Sequence, residues 1–123
     1  MSNRINLTTN FYKDEFACRC GCATDEVELD FLYKLQVART LAGIPFHISS
    51  GTRCVTHNKN VGGSQNSSHL IGRAADISYT SSSECYRIVS CLARVGFSRI
   101  GIAENFIHVD DDPFKETDVL WTY

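Results

Sequence analysis

SSHLIGRAADI, residues 67–77, runs from a polar loop into an apolar segment and carries a histidine and an aspartate on the way. Its end, continued to AADISY at residues 74–79, reads as a β-strand. Asp76 lies inside that strand, flanked by Ala74, Ala75 and Ile77. A carboxylate in such a setting is costly unless it is paired or bound to a cation. Gly72 and the two alanines keep the approach to it slim. A loop histidine next to an aspartate that caps a turn would give the same spacing, so the segment leaves both readings open.

Upstream, residues 51–73 are rich in Gly, Ser and Asn and are expected to be mostly loop. FHISS at 46–50 reads as a short strand. Before it, Phe31, Leu32, Leu35, Ala38 and Ala42 recur at helical spacing. Thr24 is the expected cap of that helix, with Asp25, Glu26 and Glu28 in a first turn where the helix dipole favours acids. Gly43 and Pro45 end it. Residues 1–23 are expected to form an irregular arm.

Downstream, Ser82 or Ser83 can cap a second helix with Cys85, Ile88, Val89, Leu92 and Val95 on its apolar face, and Gly96 ends it. FSRIGI (97–102) and FIHVD (106–110) are expected to pair as a β-hairpin across residues 103–105. This order predicts an α+β fold, with helices packed on a small antiparallel sheet. At 123 residues the chain fits one domain over 1–123, large enough to bury a core without staples.

Hydrophobic residues make up 43% and charged residues 21%, ordinary values for a globular protein. The net charge of −2 speaks against a nucleic-acid footprint or a basic membrane patch. No stretch reaches the ~20 apolar residues of a membrane span. The opening MSNRINLTTNFYKDEF has no apolar core of a secretory leader, so the expectation is synthesis in a cytoplasm. A monomer is expected.

The six cysteines are Cys18, Cys20, Cys22, Cys54, Cys85 and Cys91. The spacing of the first three does not match the C-x2-C knuckle of common structural zinc sites. Burial as small hydrophobes is the first reading. Disulfides joining the first cluster to Cys54 come next, and a second metal site last.

His108 lies in the apolar FIHVD strand, where alternation puts Phe106, His108 and Asp110 on one face and Ile107 and Val109 on the other. With His69 and Asp76 it would complete two histidines and a carboxylate, a catalytic zinc set that leaves a position open. Residue types alone do not show that strand and loop meet.

At this point a family resemblance enters. SSHLIGRAADI resembles the S-x-H-x-x-G-x-A-x-D signature of the zinc D-alanyl-D-alanine carboxypeptidases and related wall endopeptidases, which share a fold with the hedgehog signalling domain. ISSGTRCVTHNKNVGGSQNS is similar to the stretch preceding that signature, and FIHVDDDPFKETDVLWTY to the closing strand with its H-x-D pair and terminal W-x-Y. The resemblance runs from about Asn10 to the C-terminus. It implies one zinc held by His69, Asp76 and His108, a peptide of peptidoglycan as substrate, and Arg53 as the group that meets a substrate carboxylate, for which a planar guanidinium is suited. Ser67 matches the signature serine, which binds substrate or braces the loop. His57 matches no ligand position and reads as a surface histidine.

The chain departs from the family at one position. Many members have Glu or Asp three residues before the last histidine, as general base; here that residue is Asn105, which cannot accept a proton. Asp110 is then the first candidate for the base, or alternatively the group that orients His108, and Glu104 the second. Three readings follow: a wall peptidase, a zinc-containing binding module with little or no hydrolysis, and a phage structural protein that recognises wall. A wall-directed domain without a leader suits a lysin of a phage or prophage.

Overall fold

The computed structural model describes residues 4–22 and 24–123. It is an α+β fold built on one five-stranded sheet. The chain forms α1 (Leu29–Ala42), β1 (His47–Ser50), α2 (Val55–Asn60), β2 (Ala74–Ser78), α3 (Ser82–Arg94), β3 (Arg99–Ile102), β4 (Phe106–Asp110) and β5 (Val119–Thr122). Two 3-10 turns accompany these elements, Lys13–Phe16 before α1 and Ser68–Ile71 between α2 and β2.

The strand order is β1-β2-β4-β3-β5. All neighbours are antiparallel except β3 and β5, which pair in parallel. The expected sheet is therefore present but mixed. The expected β3–β4 hairpin forms, closed by the Ala103 N–H donating to the Phe106 carbonyl.

One face of the sheet meets α1 and α3. Ala75 and Ile77 of β2, Ile107 and Val109 of β4 and Ile100 of β3 pack there with Leu32, Leu35 and Leu92. Alternation along a strand sends every second side chain to the opposite face, so Asp76, His108 and Asp110 project away from the helices. That separation of faces is how the fold makes a site.

Three local features differ in detail from the expectations. The first helix begins at Leu29, not after Thr24. Residues before it are held extended by tertiary partners: the Glu28 N–H donates to the Gly72 carbonyl, and the Thr24 carbonyl accepts from the Thr52 hydroxyl and the Cys18 N–H. Gly72 has φ +71°, and a Cβ there would sit 2.2 Å from the Glu26 carbonyl oxygen, so only glycine allows this approach. Gly43 does end the helix, at φ 68°.

Second, residues 51–73 are mostly loop, as expected, but α2 and the second 3-10 turn lie within them. Cys54 and Ser67 cap these short elements through sulfur and oxygen, and neither element has the length to show a hydrophobic period. Third, α3 is capped by Ser81, whose hydroxyl accepts from the Glu84 N–H, rather than by Ser82 or Ser83.

The arm at 1–23 carries more order than expected; residues 1–3 and 23 lie outside the described part. Phe11 and Phe16 are fully buried in the main core and meet edge to face at 5.8 Å. Phe16 also presses on Gly51, where a Cβ would stand 2.5 Å from Phe16 Cα. The Phe16 carbonyl accepts from the N–H and the hydroxyl of Thr52, which fastens the arm to the loop after β1.

Candidate metal centre

The register of the sheet brings the sequence candidates together. Asp76 of β2 is the direct cross-strand partner of His108 of β4. His69 arrives from the 3-10 turn Ser68–Ile71, which runs into β2 through the left-handed Gly72. His69, Asp76 and His108 are all buried, and one donor atom from each lies within 4.8 Å of the others.

The hydrogen bonds decide which nitrogen of each ring faces inward. His69 Nδ1 lies 2.6 Å from the Gly51 carbonyl oxygen, which can only accept. The proton therefore belongs on Nδ1, and Nε2 presents its lone pair. His108 Nε2 lies 2.7 Å from Asp110 Oδ2, so its proton belongs there and Nδ1 presents the lone pair.

These two lone-pair nitrogens converge on Asp76 Oδ1 at 3.2 and 3.0 Å. Three acceptors facing one another repel unless a cation lies among them. Without one, burial opposes charge on His108, but the carboxylates of Asp110 and Asp76 outweigh it and raise the imidazole's pKa. Burial likewise works against the Asp76 carboxylate, yet the two imidazoles bring its pKa well below the usual range. The donor set of two imidazoles and one carboxylate fits a catalytic zinc with an open position.

The set lies on an open cleft of about 350 Å³. Arg53, Arg99 and Lys115 supply positive charge to its lining, and Phe106, Trp121 and Tyr123 an aromatic wall. Arg53 Nη2 stands 3.5 Å from Asp76 Oδ2. The same guanidinium donates to the Asn58 side-chain oxygen and to the Ser50 hydroxyl, which fixes its plane beside the donor set. Ser67 lines the cleft too, but its hydroxyl accepts from the His69 N–H, so its visible contact braces the metal loop.

Neither base candidate offers the cleft a free carboxylate oxygen. Asp110 is on the His108 side, as expected, but it is 1% exposed and both its oxygens are engaged. Oδ2 accepts from His108 Nε2–H, and Oδ1 accepts from Arg99 Nε at 2.7 Å and from the Asp112 N–H. A carboxylate so placed can orient the histidine from behind, with both oxygens already hydrogen-bonded. Glu104 is exposed in the β3–β4 turn and is not part of the cleft lining. Asn105, also exposed, uses its carbonyl to accept from the Tyr79 N–H. His57 is half-buried on α2 and outside the cleft.

Three residues that complete the site are not among the sequence candidates. Gly51 supplies the carbonyl that orients His69, and a backbone atom leaves no trace in residue types. Arg99 does carry a signal, since alternation along β3 puts it on the face of Gly101. Gly101 itself is paired with His108 across β3 and β4, and the Trp121 indole lies over it, 5.6 Å from the His108 ring. A Cβ at Gly101 would meet Trp121 Nε1 at 2.4 Å.

The fold and its donor set together define an α+β domain with a candidate two-histidine, one-aspartate metal centre on the open face of a mixed sheet. Residues 9–110 match the family model described as Peptidase M15. The chain belongs to that family. It is also 39% identical over 70 residues to the zinc D-Ala-D-Ala carboxypeptidase of Streptomyces albus G, a match covering 56% of this chain and 27% of that protein. The matched region thus spans about a quarter of the length of that curated relative.

Proposed function

We propose that this protein is a zinc-dependent peptidase that hydrolyses D-alanine-containing stem peptides of bacterial peptidoglycan. The observation that carries the proposal is the convergence of His69 Nε2, Asp76 Oδ1 and His108 Nδ1 beside the Arg53 guanidinium on one cleft. Family membership and the activity named for the Streptomyces protein support it.

When bound, zinc supplies Lewis acidity, polarising a carbonyl and making water nucleophilic near neutral pH. His69, Asp76 and His108 would hold it. Gly51 and Asp110 keep the two rings in the tautomers that ligation requires. Arg53, held by Asn58 and Ser50, is placed to receive a carboxylate of the substrate through parallel N–H donors. That pairing favours a chain end or a free stem carboxylate next to the scissile bond, hence removal of a terminal D-alanine over internal cleavage. The aromatic wall of Phe106, Trp121 and Tyr123 would cover the peptide and limit water.

A second reading has its own observation. Asp76 and Asp110 are the only carboxylates lining the cleft among the described residues, and both are committed. A cleft without a spare base suits a zinc-containing module that binds wall and cuts little. Digestion of purified stem pentapeptides and cross-linked fragments, with products weighed by mass spectrometry, separates the two. Loss of one alanine supports the carboxypeptidase reading, and cleavage of cross-links an endopeptidase. Intact fragments that stay bound to zinc-replete protein would establish the binding module.

A further inference from the structure

The cysteines expected first as buried hydrophobes are not mainly that. Cys20 and Cys22 are exposed, Cys54 is half-buried, and only Cys18 of this group is buried. Yet the sulfurs of Cys18, Cys20, Cys22 and Cys54 all lie within 4.8 Å of one another. All four are free thiols. This cluster lies on the arm and the N-terminus of α2, apart from the histidine centre, and the proposed peptidase chemistry makes no use of it.

From this geometry we infer a second metal site, a structural zinc held by the four thiolates of Cys18, Cys20, Cys22 and Cys54. Three of the sulfur separations are 3.5, 3.8 and 3.7 Å, a nearly equilateral triangle. Zinc–thiolate bonds of ~2.3 Å in a tetrahedron require sulfurs roughly 3.8 Å apart. A disulfide would instead draw two sulfurs to about 2.0 Å and leave the third unmatched. Four thiol donors with no imidazole, carboxylate or open position make a closed site, the kind that holds structure rather than performs chemistry.

The backbone is arranged for thiolates. The Cys54 N–H donates to Cys18 Sγ, and the His57 N–H donates to Cys54 Sγ, both at 3.4 Å. Gly21, at φ +84°, reverses the chain between Cys20 and Cys22, and the Cys18 N–H closes the loop on the Thr24 carbonyl at 2.6 Å. The C-x-C-G-C spacing thus does by a glycine turn what a C-x2-C knuckle does elsewhere.

The site would tie the arm to Cys54, the residue after Arg53. It would thus brace from outside the loop that carries the cleft's cation. The test is metal analysis of the full chain purified under reducing conditions without added chelator. About two zinc ions per chain are expected. Cys20→Ser/Cys22→Ser, at two exposed positions, should retain about one, and His69→Ala/His108→Ala should also retain about one. The histidine variant, reloaded with cobalt(II), should show the intense sulfur-to-metal charge-transfer bands of a tetrahedral thiolate site, and its Cys20 and Cys22 should resist iodoacetamide despite their exposure. Iron in place of zinc, a histidine variant devoid of metal, rapid alkylation of both cysteines, or a non-reducing mass showing disulfides among the four would overturn the inference. The histidine centre is scored separately by the cysteine variant, so failure of one site is distinguishable from failure of the other.

Discussion

The Asp110 carboxylate takes the Nε2 proton of His108 at 2.7 Å from two positions along the same strand, and its other oxygen is locked by Arg99. The residue therefore sets the direction in which His108 presents Nδ1. Asp110→Asn cannot satisfy both sides, since an amide NH2 would face either the histidine proton or the Arg99 N–H. The expected result is a loss of metal affinity of about 10–100-fold, with turnover falling in step as zinc is lost. Competition against a chromogenic chelator measures the affinity. Unchanged affinity with turnover abolished would return the base role to Asp110.

Removing a donor should be more severe. His69→Ala, Asp76→Ala and His108→Ala are each expected to lose most of the metal at this centre, and with it hydrolysis of stem peptides. Chelation of the parent should also lower its melting temperature, because a metal present at 100 times its dissociation constant stabilises the folded state by about 2.7 kcal/mol. Elemental analysis and thermal melts check both. Full metal content in all three variants would show that the donor set is assigned wrongly.

Arg53→Lys keeps the charge and loses the fork. The guanidinium now reaches Asn58 and Ser50 together while standing by Asp76. An ammonium cannot hold those contacts and still offer paired donors to a carboxylate. A charge-assisted hydrogen bond is worth about 1.5–3 kcal/mol, so kcat/KM on stem peptides should fall roughly 10–100-fold with metal content unchanged. Equal kinetics for the two proteins would mean that Arg53 only buttresses the loop.

Gly101→Ala tests the aromatic wall. The added methyl would collide with Trp121 Nε1 at 2.4 Å and Cε2 at 2.5 Å, and a rigid indole has no flexible end to yield. Overpacking of this kind costs about 1–3 kcal/mol. Because Trp121 is the single tryptophan, its fluorescence reports the displacement directly. An unaltered emission spectrum would show that the strand shifts and the indole stays.

Phe16→Ala addresses the arm. Phe16 is fully buried and packs against Phe11 and Gly51. Its truncation should destabilise the protein by about 3–5 kcal/mol in denaturant titrations, far beyond what an irregular surface arm would show.

Much of the fold is legible in the sequence because its signals are periodic. Phe31, Leu35, Ala38 and Ala42 mark α1, and FIHVD alternates cleanly, so the opposite faces of His108 and Ile107 follow from residue order alone. The metal donors are legible as residue types, and through resemblance as a set. What stays hidden depends on partners far along the chain. The start of α1 falls later than its capping signals suggest because Gly72 claims the Glu28 N–H. β5 has strand-forming residues in Val119 to Thr122, but only four of them, and its parallel pairing with β3 across the sequence is not visible in residue order. The role of Asp110 turns on Arg99, whose guanidinium occupies the oxygen that a base would need free.

Gly51 is where the arm and the metal centre touch. Its Cα faces Phe16 too closely for any side chain, and its carbonyl holds the His69 proton. If the arm lifts away as a local opening, the sheet and both long helices keep their mutual packing, but His69 loses the pressure that keeps its acceptor in place. Such partial openings cost less than global unfolding. On gentle heating the histidine centre would therefore release its ion while the far-ultraviolet dichroism still looks native, and inactivation would run ahead of melting.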